Sequence, residues 1–122
     1  MPTKTVVIGA SENPDRYAHK AARSLERHGH PVELVGPKAG MINDMPIQTG
    51  YPALTDIDTV TLYVGPRNQH IYADYIKGLK PRRVIFNPGT ENPALENELD
   101  QLGIEPVEAC TLVMLSIGNY DE

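Results

Sequence analysis

Thr5-Val6-Val7-Ile8-Gly9-Ala10-Ser11-Glu12-Asn13-Pro14-Asp15-Arg16-Tyr17-Ala18-His19-Lys20-Ala21-Ala22-Arg23-Ser24-Leu25 is the stretch whose reading decides the fold. Its first four residues are an unbroken β-branched run, the type buried on both faces of a parallel sheet. Ala18, Ala21, Ala22 and Leu25 then recur at helical spacing, and Gly29 stops that helix. Between the two lies a turn, Gly9 to Tyr17. Gly9 permits a tight bend, and small Ala10 and Ser11 let a phosphate approach the backbone. Exposed N–H groups and the dipole of the following helix favour an anion there. Arg16 adds a charge-assisted contact. An ordinary β–α turn draws on the same residue types, so on this segment alone both readings stand.

Working outward, Val32 to Val35 reads as a second strand ended by Gly36-Pro37. The region from Lys38 to Asp56 is rich in Gly and Pro, with Met45 to Gln48 as a short third strand. Thr59 to Val64 is a strand. A helix follows from about Asn68, its cap, to Leu79, with Ile71, Tyr75, Ile76 and Leu79 on one face. Lys80-Pro81 closes it. Arg83 to Phe86 is the next strand. Asn92-Pro93 supplies N-cap and first turn of a helix striped by Leu95, Leu99 and Leu102 and ended by Gly103. Ile104 to Val107 is a final strand, and Cys110 to Ile117 a last helix. Such alternation implies right-handed βαβ units. The expected fold is α/β: a Rossmann-like doubly wound, mostly parallel sheet of five or six strands with helices on both faces, as one domain over residues 1–122.

Charge and composition exclude several classes. The net charge is −5, so there is no electrostatic footprint for nucleic acid. Cys110 is the sole cysteine, which rules out an internal disulfide framework and clustered thiolates and fits a reducing cytoplasm. No signal-peptide pattern follows Met1, and no apolar stretch approaches the ~20 residues needed to span a bilayer. His19, His28, His30 and His70 are scattered without companion ligands, so no metal site is expected. His28 and His30 flank Gly29, where contact with a helix C-terminus is the simple reading. Tyr63, Tyr72 and Tyr75 read as packing residues, and no catalytic constellation is recognisable.

In doubly wound sheets ligands bind beyond the carboxyl ends of the strands, where strand order reverses. The segments to inspect are therefore Gly9 to Tyr17, Gly36 to Gly40, Gly65 to Asn68 and Asn87 to Thr90. The first is not the dinucleotide fingerprint, because only Gly9 of the three glycines is present. The second lacks the acid that would take a ribose hydroxyl and has Gly36-Pro37-Lys38 instead. A lysine there suits an adenosine carrying an additional phosphate, as in coenzyme A or NADP. In the third, Gly65-Pro66 makes a sharp bend able to pack against adenine or a pantetheine arm, and Arg67 reads as solvated. Asn87-Pro88-Gly89-Thr90 has a plain turn signature.

Taken together, these segments resemble a known family. "VVIGASENPDRYAHKAARSLERHGHPVELVGPK", "MPIQTGYPALTDIDTVTLYVGP" and "IEPVEACTLVML" are similar to the stand-alone coenzyme A-binding domain proteins, relatives of the N-terminal domain of the succinyl-CoA synthetase alpha subunit. The similarity spans nearly the whole chain. It implies that Gly9, Ala10, Ser11, Asn13, Arg16 and Tyr17 cradle the diphosphate. It implies Pro37 and Lys38, after Gly36, near the adenosine 3′-phosphate, and Val64, Gly65 and Pro66 against the nucleotide. The cofactor implied is coenzyme A or an acyl-CoA, held by a module without its own catalytic machinery. Two alternatives come from other classes. One is an NADP-dependent oxidoreductase or a partner-dependent acyl-CoA enzyme. The other is a regulatory subunit with a vestigial cleft, in which the apolar segment Thr111 to Ile117 would serve as an interface, for instance in a homodimer.

Overall fold

The structure is a computed structural model that describes residues 3–121. In chain order its elements are β1 (Thr5–Ile8), α1 (Tyr17–Arg27), β2 (Val32–Val35), β3 (Gly40–Ile42), β4 (Met45–Gln48), β5 (Thr59–Leu62), α2 (His70–Leu79), β6 (Arg83–Phe86), α3 (Pro93–Gln101), β7 (Glu105–Glu108) and α4 (Thr111–Ile117). One sheet contains all seven strands in the order β3-β4-β2-β1-β5-β6-β7. Every pairing is parallel except the β3–β4 hairpin at one edge. β1 lies centrally, with Ile8 opposite both Val35 and Leu62.

The sheet has one strand more than the five or six expected. Gly40-Met41-Ile42 is too short, and too close to Pro37, to announce itself, and it pairs antiparallel with β4 around Asn43-Asp44. Asn43 takes the left-handed conformation that Asn tolerates better than most residues, φ 52°.

Alternation along each strand divides the core into two layers. Val7, Leu34 and Ile85 face α1 and α4, where Ala18, Ala22, Leu25 and Leu115 receive them. Val6, Ile8, Val60, Leu62, Val84 and Phe86 face α2 and α3, against Tyr72, Ile76, Leu95 and Leu99. The small alanines of α1 let that helix lie close to the sheet. The path from β4 to β5 has no helix. Leu54 and Ile57 of that extended segment pack on the α2–α3 face, and Tyr51 and Tyr75 pin it through hydrogen bonds to the carbonyls of Ile71 (2.7 Å) and Pro52 (2.6 Å).

Two expected helix faces shift. α2 begins at His70, after a 3-10 turn over Pro66–Asn68, so Asn68 is not its cap. Tyr72 and Ile76 are the residues of α2 that are buried, while Ile71 stays 46% exposed. In α3, Leu95 and Leu99 are buried, but Leu102 stands beyond the last turn and is exposed. Asn92 does cap α3: its Oδ1 accepts the Leu95 N–H, and Glu96 returns a bond to the Asn92 N–H at 2.9 Å.

The amino ends of the strands are closed by Tyr120, which follows α4. Buried Arg83 donates to Thr59 Oγ1 (2.9 Å) and to the Tyr120 carbonyl, and its guanidinium lies 4.6 Å from the Tyr120 ring centre. The Tyr120 hydroxyl bonds Thr5 Oγ1 at 2.6 Å. His30 completes this end, its Nδ1 accepting the Thr3 N–H at 2.9 Å and its ring edge-on to Tyr120. Burial lowers the His30 pKa from its ordinary value; Asp121 opposes that, while His28 and Arg83 add to it. A lowered value means the fold favours the neutral ring. Its stabilisation is fully present above the unfolded value of 6.5 and is lost as pH falls through the folded one. The urea midpoint is therefore expected to fall on acidification from 6.5 through the folded value, and His30→Gln to flatten the fall. An unchanged slope in the variant would remove His30 as its source.

Candidate functional site

Discounting β3, the strand order reverses between β1 and β5, since α1 leads from β1 to one side and β5, β6 and β7 build the other. A cavity of about 1020 Å³ opens there, beyond the carboxyl ends of the strands. Its volume sits at the upper end of the usual range for ligand sites. Its walls come from four segments: Gly9 to Ala18, Pro37 to Ala39, Tyr63 to Tyr72, and Pro88 to Thr90.

Of the residues expected at the site, Gly9, Ala10, Ser11, Asn13, Arg16, Tyr17, Pro37, Lys38, Val64 and Gly65 line this one cavity. Gly36 and Pro66 do not. Gly36 is buried beneath the first turn, where a Cβ would collide with the carbonyl oxygen of Ala10. Its role is to let two backbones touch. Pro66 opens the 3-10 turn behind the wall. Arg67 is exposed and lies outside the lining.

The amides of the first loop divide into two sets. Gly9 and Ala10 both donate to the Val35 carbonyl, at 2.9 and 3.0 Å. Asn13 donates to Ser11 Oγ, Asp15 to Asn13 Oδ1, and Arg16 to the Asn13 carbonyl. Those five bonds shape the loop from within. Among the described residues, the N–H groups of Ser11 and Glu12 and of the first α1 residues, Tyr17, Ala18 and His19, have no partner, and no side chain caps α1. The orphan donors at a helix start carry partial positive charge. The His19 ring, 8% exposed, holds the loop to the helix through the Ser11 carbonyl at 3.0 Å.

Charges of both signs face the cavity. Arg16 and Lys38 are exposed and make no ion pair among the described residues, and Glu12 and Asp15 stand on the same side. The opposite end is less polar. Ile71 and Tyr72 line it, together with Asn68, whose exposed amide reading it as a helix cap had overlooked. Tyr63 backs the floor. Burial raises its phenol far above the ordinary value, and the nearby Cys110 adds to this, while the Thr61 and Thr111 hydroxyls oppose it. The phenol thus stays protonated, and its buried oxygen has no hydrogen-bond partner among the described residues.

Two buried side chains missed in the sequence hold the far wall. Asn87 donates to Thr61 Oγ1 and the Leu62 carbonyl and accepts the Thr111 N–H. Gln69 donates to the carbonyls of Val64 and Thr90 and accepts from Asn92 Nδ2. Asn87 had signalled a turn in a segment at the crevice edge, and Gln69 a polar helix position; nothing local marks either as a tertiary hub.

A family model described as a CoA binding domain matches residues 3–116. The chain belongs to the CoA-binding domain family. That membership supports association with coenzyme A in general. Among solved structures, this chain superimposes on an uncharacterised protein at 50% identity with a TM-score of 0.95, covering 98% of each chain. A hypothetical protein from Pyrococcus horikoshii matches at 24% identity and TM-score 0.85, over 95% of this chain and 83% of the other. A protein from Thermus thermophilus matches at 23% and 0.83, over 96% and 90%. At those two lower identities the likeness is one of fold. No curated protein matches the chain.

Glycine placement in the CoA-binding fold gives a direct test. Gly36→Ala must displace the Ala10 backbone and is expected to cost about 1–3 kcal/mol of stability in urea unfolding. Gly65→Ala, where a Cβ meets nothing within 4 Å, is expected to stay within about 0.5 kcal/mol of the parent. Equal costs at the two sites would contradict the close contact assigned to Gly36.

Proposed function

We propose that this protein is a binding module for coenzyme A or an acyl-CoA, without catalytic machinery of its own. One observation carries the reading. The unpaired amides at the start of α1, the free Arg16 guanidinium and Lys38 all border one cavity at the point where strand order reverses. In this reading the diphosphate lies on the N–H groups of Ser11 and Glu12 and of the first α1 turn, with Arg16 beside it. Lys38 faces the 3′-phosphate of the adenosine. Val64 and Gly65 pack on the nucleotide, and the pantetheine arm runs toward Asn68, Ile71 and Tyr72.

Two groups that could act as acid or nucleophile are set apart from the cavity chemistry, which supports a binding role over an enzymatic one. Tyr63 is held protonated by burial, and the half-buried Cys110 is not in the lining. NADP is the competing ligand, because Lys38 would also suit a 2′-phosphate.

Thermal unfolding with coenzyme A, dephospho-coenzyme A, NAD and NADP tests the proposal. Ligand at about 100 times Kd adds about 2.7 kcal/mol to the native state and raises Tm by several degrees. Coenzyme A is expected to give the largest shift. Lys38→Ala is expected to weaken coenzyme A about tenfold while leaving dephospho-coenzyme A within about twofold. No shift with coenzyme A at millimolar concentration, or equal losses for both ligands in the variant, would overturn the reading or its phosphate assignment respectively.

A further inference from the structure

Glu12 does something the loop sequence does not foretell. It leaves the β1–α1 loop and reaches across to the hairpin, where its Oε2 accepts the Met41 N–H at 2.8 Å. Its carboxyl carbon lies over Gly40 in the space a Cβ would need. Glu12 lines the cavity beside Pro37, Lys38 and Ala39, and its second oxygen, Oε1, has no partner among the described residues. Neither Glu12 nor Lys38 is within ion-pair distance of an opposite charge among those residues.

A carboxylate at this place has a known chemical use. In doubly wound dinucleotide sites an acid at the end of the second strand accepts the ribose 2′-hydroxyl. Here that strand ends in Gly36-Pro37-Lys38, which has no acid. The same neighbourhood receives one from a different element, fixed by a backbone donor and by a glycine that makes room for it.

We infer that Glu12 is a specificity-determining residue that accepts the ribose 2′-hydroxyl and thereby selects a 3′-phosphorylated adenosine over its 2′-phosphorylated isomer. This rests on the coenzyme A reading above. A free cation and a free carboxylate oxygen on one wall complement a ribose bearing one phosphate and one hydroxyl on adjacent carbons. Lys38 takes the phosphate and Glu12 takes the hydroxyl. A 2′-phosphate would face the carboxylate, lose the hydroxyl donor and meet like charge. Glu12 thus separates coenzyme A from NADP, which Lys38 alone does not.

Isothermal titration with adenosine 3′,5′-bisphosphate, adenosine 2′,5′-bisphosphate and coenzyme A tests this on the whole chain. The parent is expected to prefer the 3′ isomer by about tenfold or more. Glu12→Gln keeps an acceptor for Met41 but removes the charge, and is expected to bring the two isomers within about threefold. Gly40→Ala keeps the charge but pushes the carboxylate from its seat, and is expected to narrow the gap in the same way. Either variant decides if the other does not fold. An unchanged isomer ratio with coenzyme A still bound would make Glu12 a structural clamp only and overturn the inference alone, as would a parent that prefers the 2′ isomer. A parent that binds no coenzyme A would overturn the binding proposal and this inference with it.

Discussion

The Val35 carbonyl accepts two N–H groups, from Gly9 and Ala10, and the geometry of the cavity follows from that shared acceptor. To reach one oxygen from consecutive amides the chain must bend sharply at Gly9, which takes φ +99°, a value that L side chains rarely adopt. The bend has no slack on either side. A Cβ on Gly9 would lie 3.0 Å from the Tyr63 backbone, and one on Gly36 would strike Ala10. The exit of β1 is therefore wedged between β2 and β5, with backbone making the nearest contacts at both glycines. Bonding Gly9 and Ala10 inward leaves Ser11 and Glu12 as the first amides free to face outward, and sets the direction from which α1 begins.

The other walls are fixed by polar groups that spend their hydrogen bonds on other loops. Asn87 ties β5, β6 and the start of α4 together, and Gln69 ties the loops after β5 and β6. Each is buried and fully engaged, and removing either would leave several orphan groups at once. Glu12 performs a similar service at the hairpin. A cavity held this way on three sides is formed before any ligand arrives, which lowers the ordering cost that binding must overcome.

Much of this was legible in the sequence because it is local. The β-branched run of β1, the alanine stripe of α1 and the Asn92-Pro93 cap are each decided within one turn or strand, and all appear where periodicity puts them. The loops after successive strands meet at one edge because parallel topology brings them there, so most of the expected lining could be named without coordinates. What escaped depends on contacts distant in sequence. β3 exists only because β4 offers it a partner. Ile71, expected on the packed face of α2, stays exposed, and Tyr72 and Ile76 are buried there against the sheet. Gly36, expected beside the ligand, lies under the Ala10 carbonyl and outside the cavity lining, and five of the eight amides from Gly9 to Tyr17 are already bonded within the protein. A sequence shows that a loop has donors; it does not show which of them the fold itself uses.

On the proposed reading, an acidic chain takes a polyanion. At −5 the overall field opposes the ligand, but exposed charges beyond about 8–10 Å are screened at physiological salt. What counts is within a few ångströms, where two bases, two acids and a row of unpaired amides share one wall. Amides carry no counterion and cannot be neutralised by titration, so an anion seated on them is held by fixed dipoles more than by net charge. In that setting a carboxylate is not a defect in an anion site. Placed where the ligand has a hydroxyl and not a phosphate, it costs little when the right isomer binds and much when the wrong one does, and that difference is what selectivity consists of.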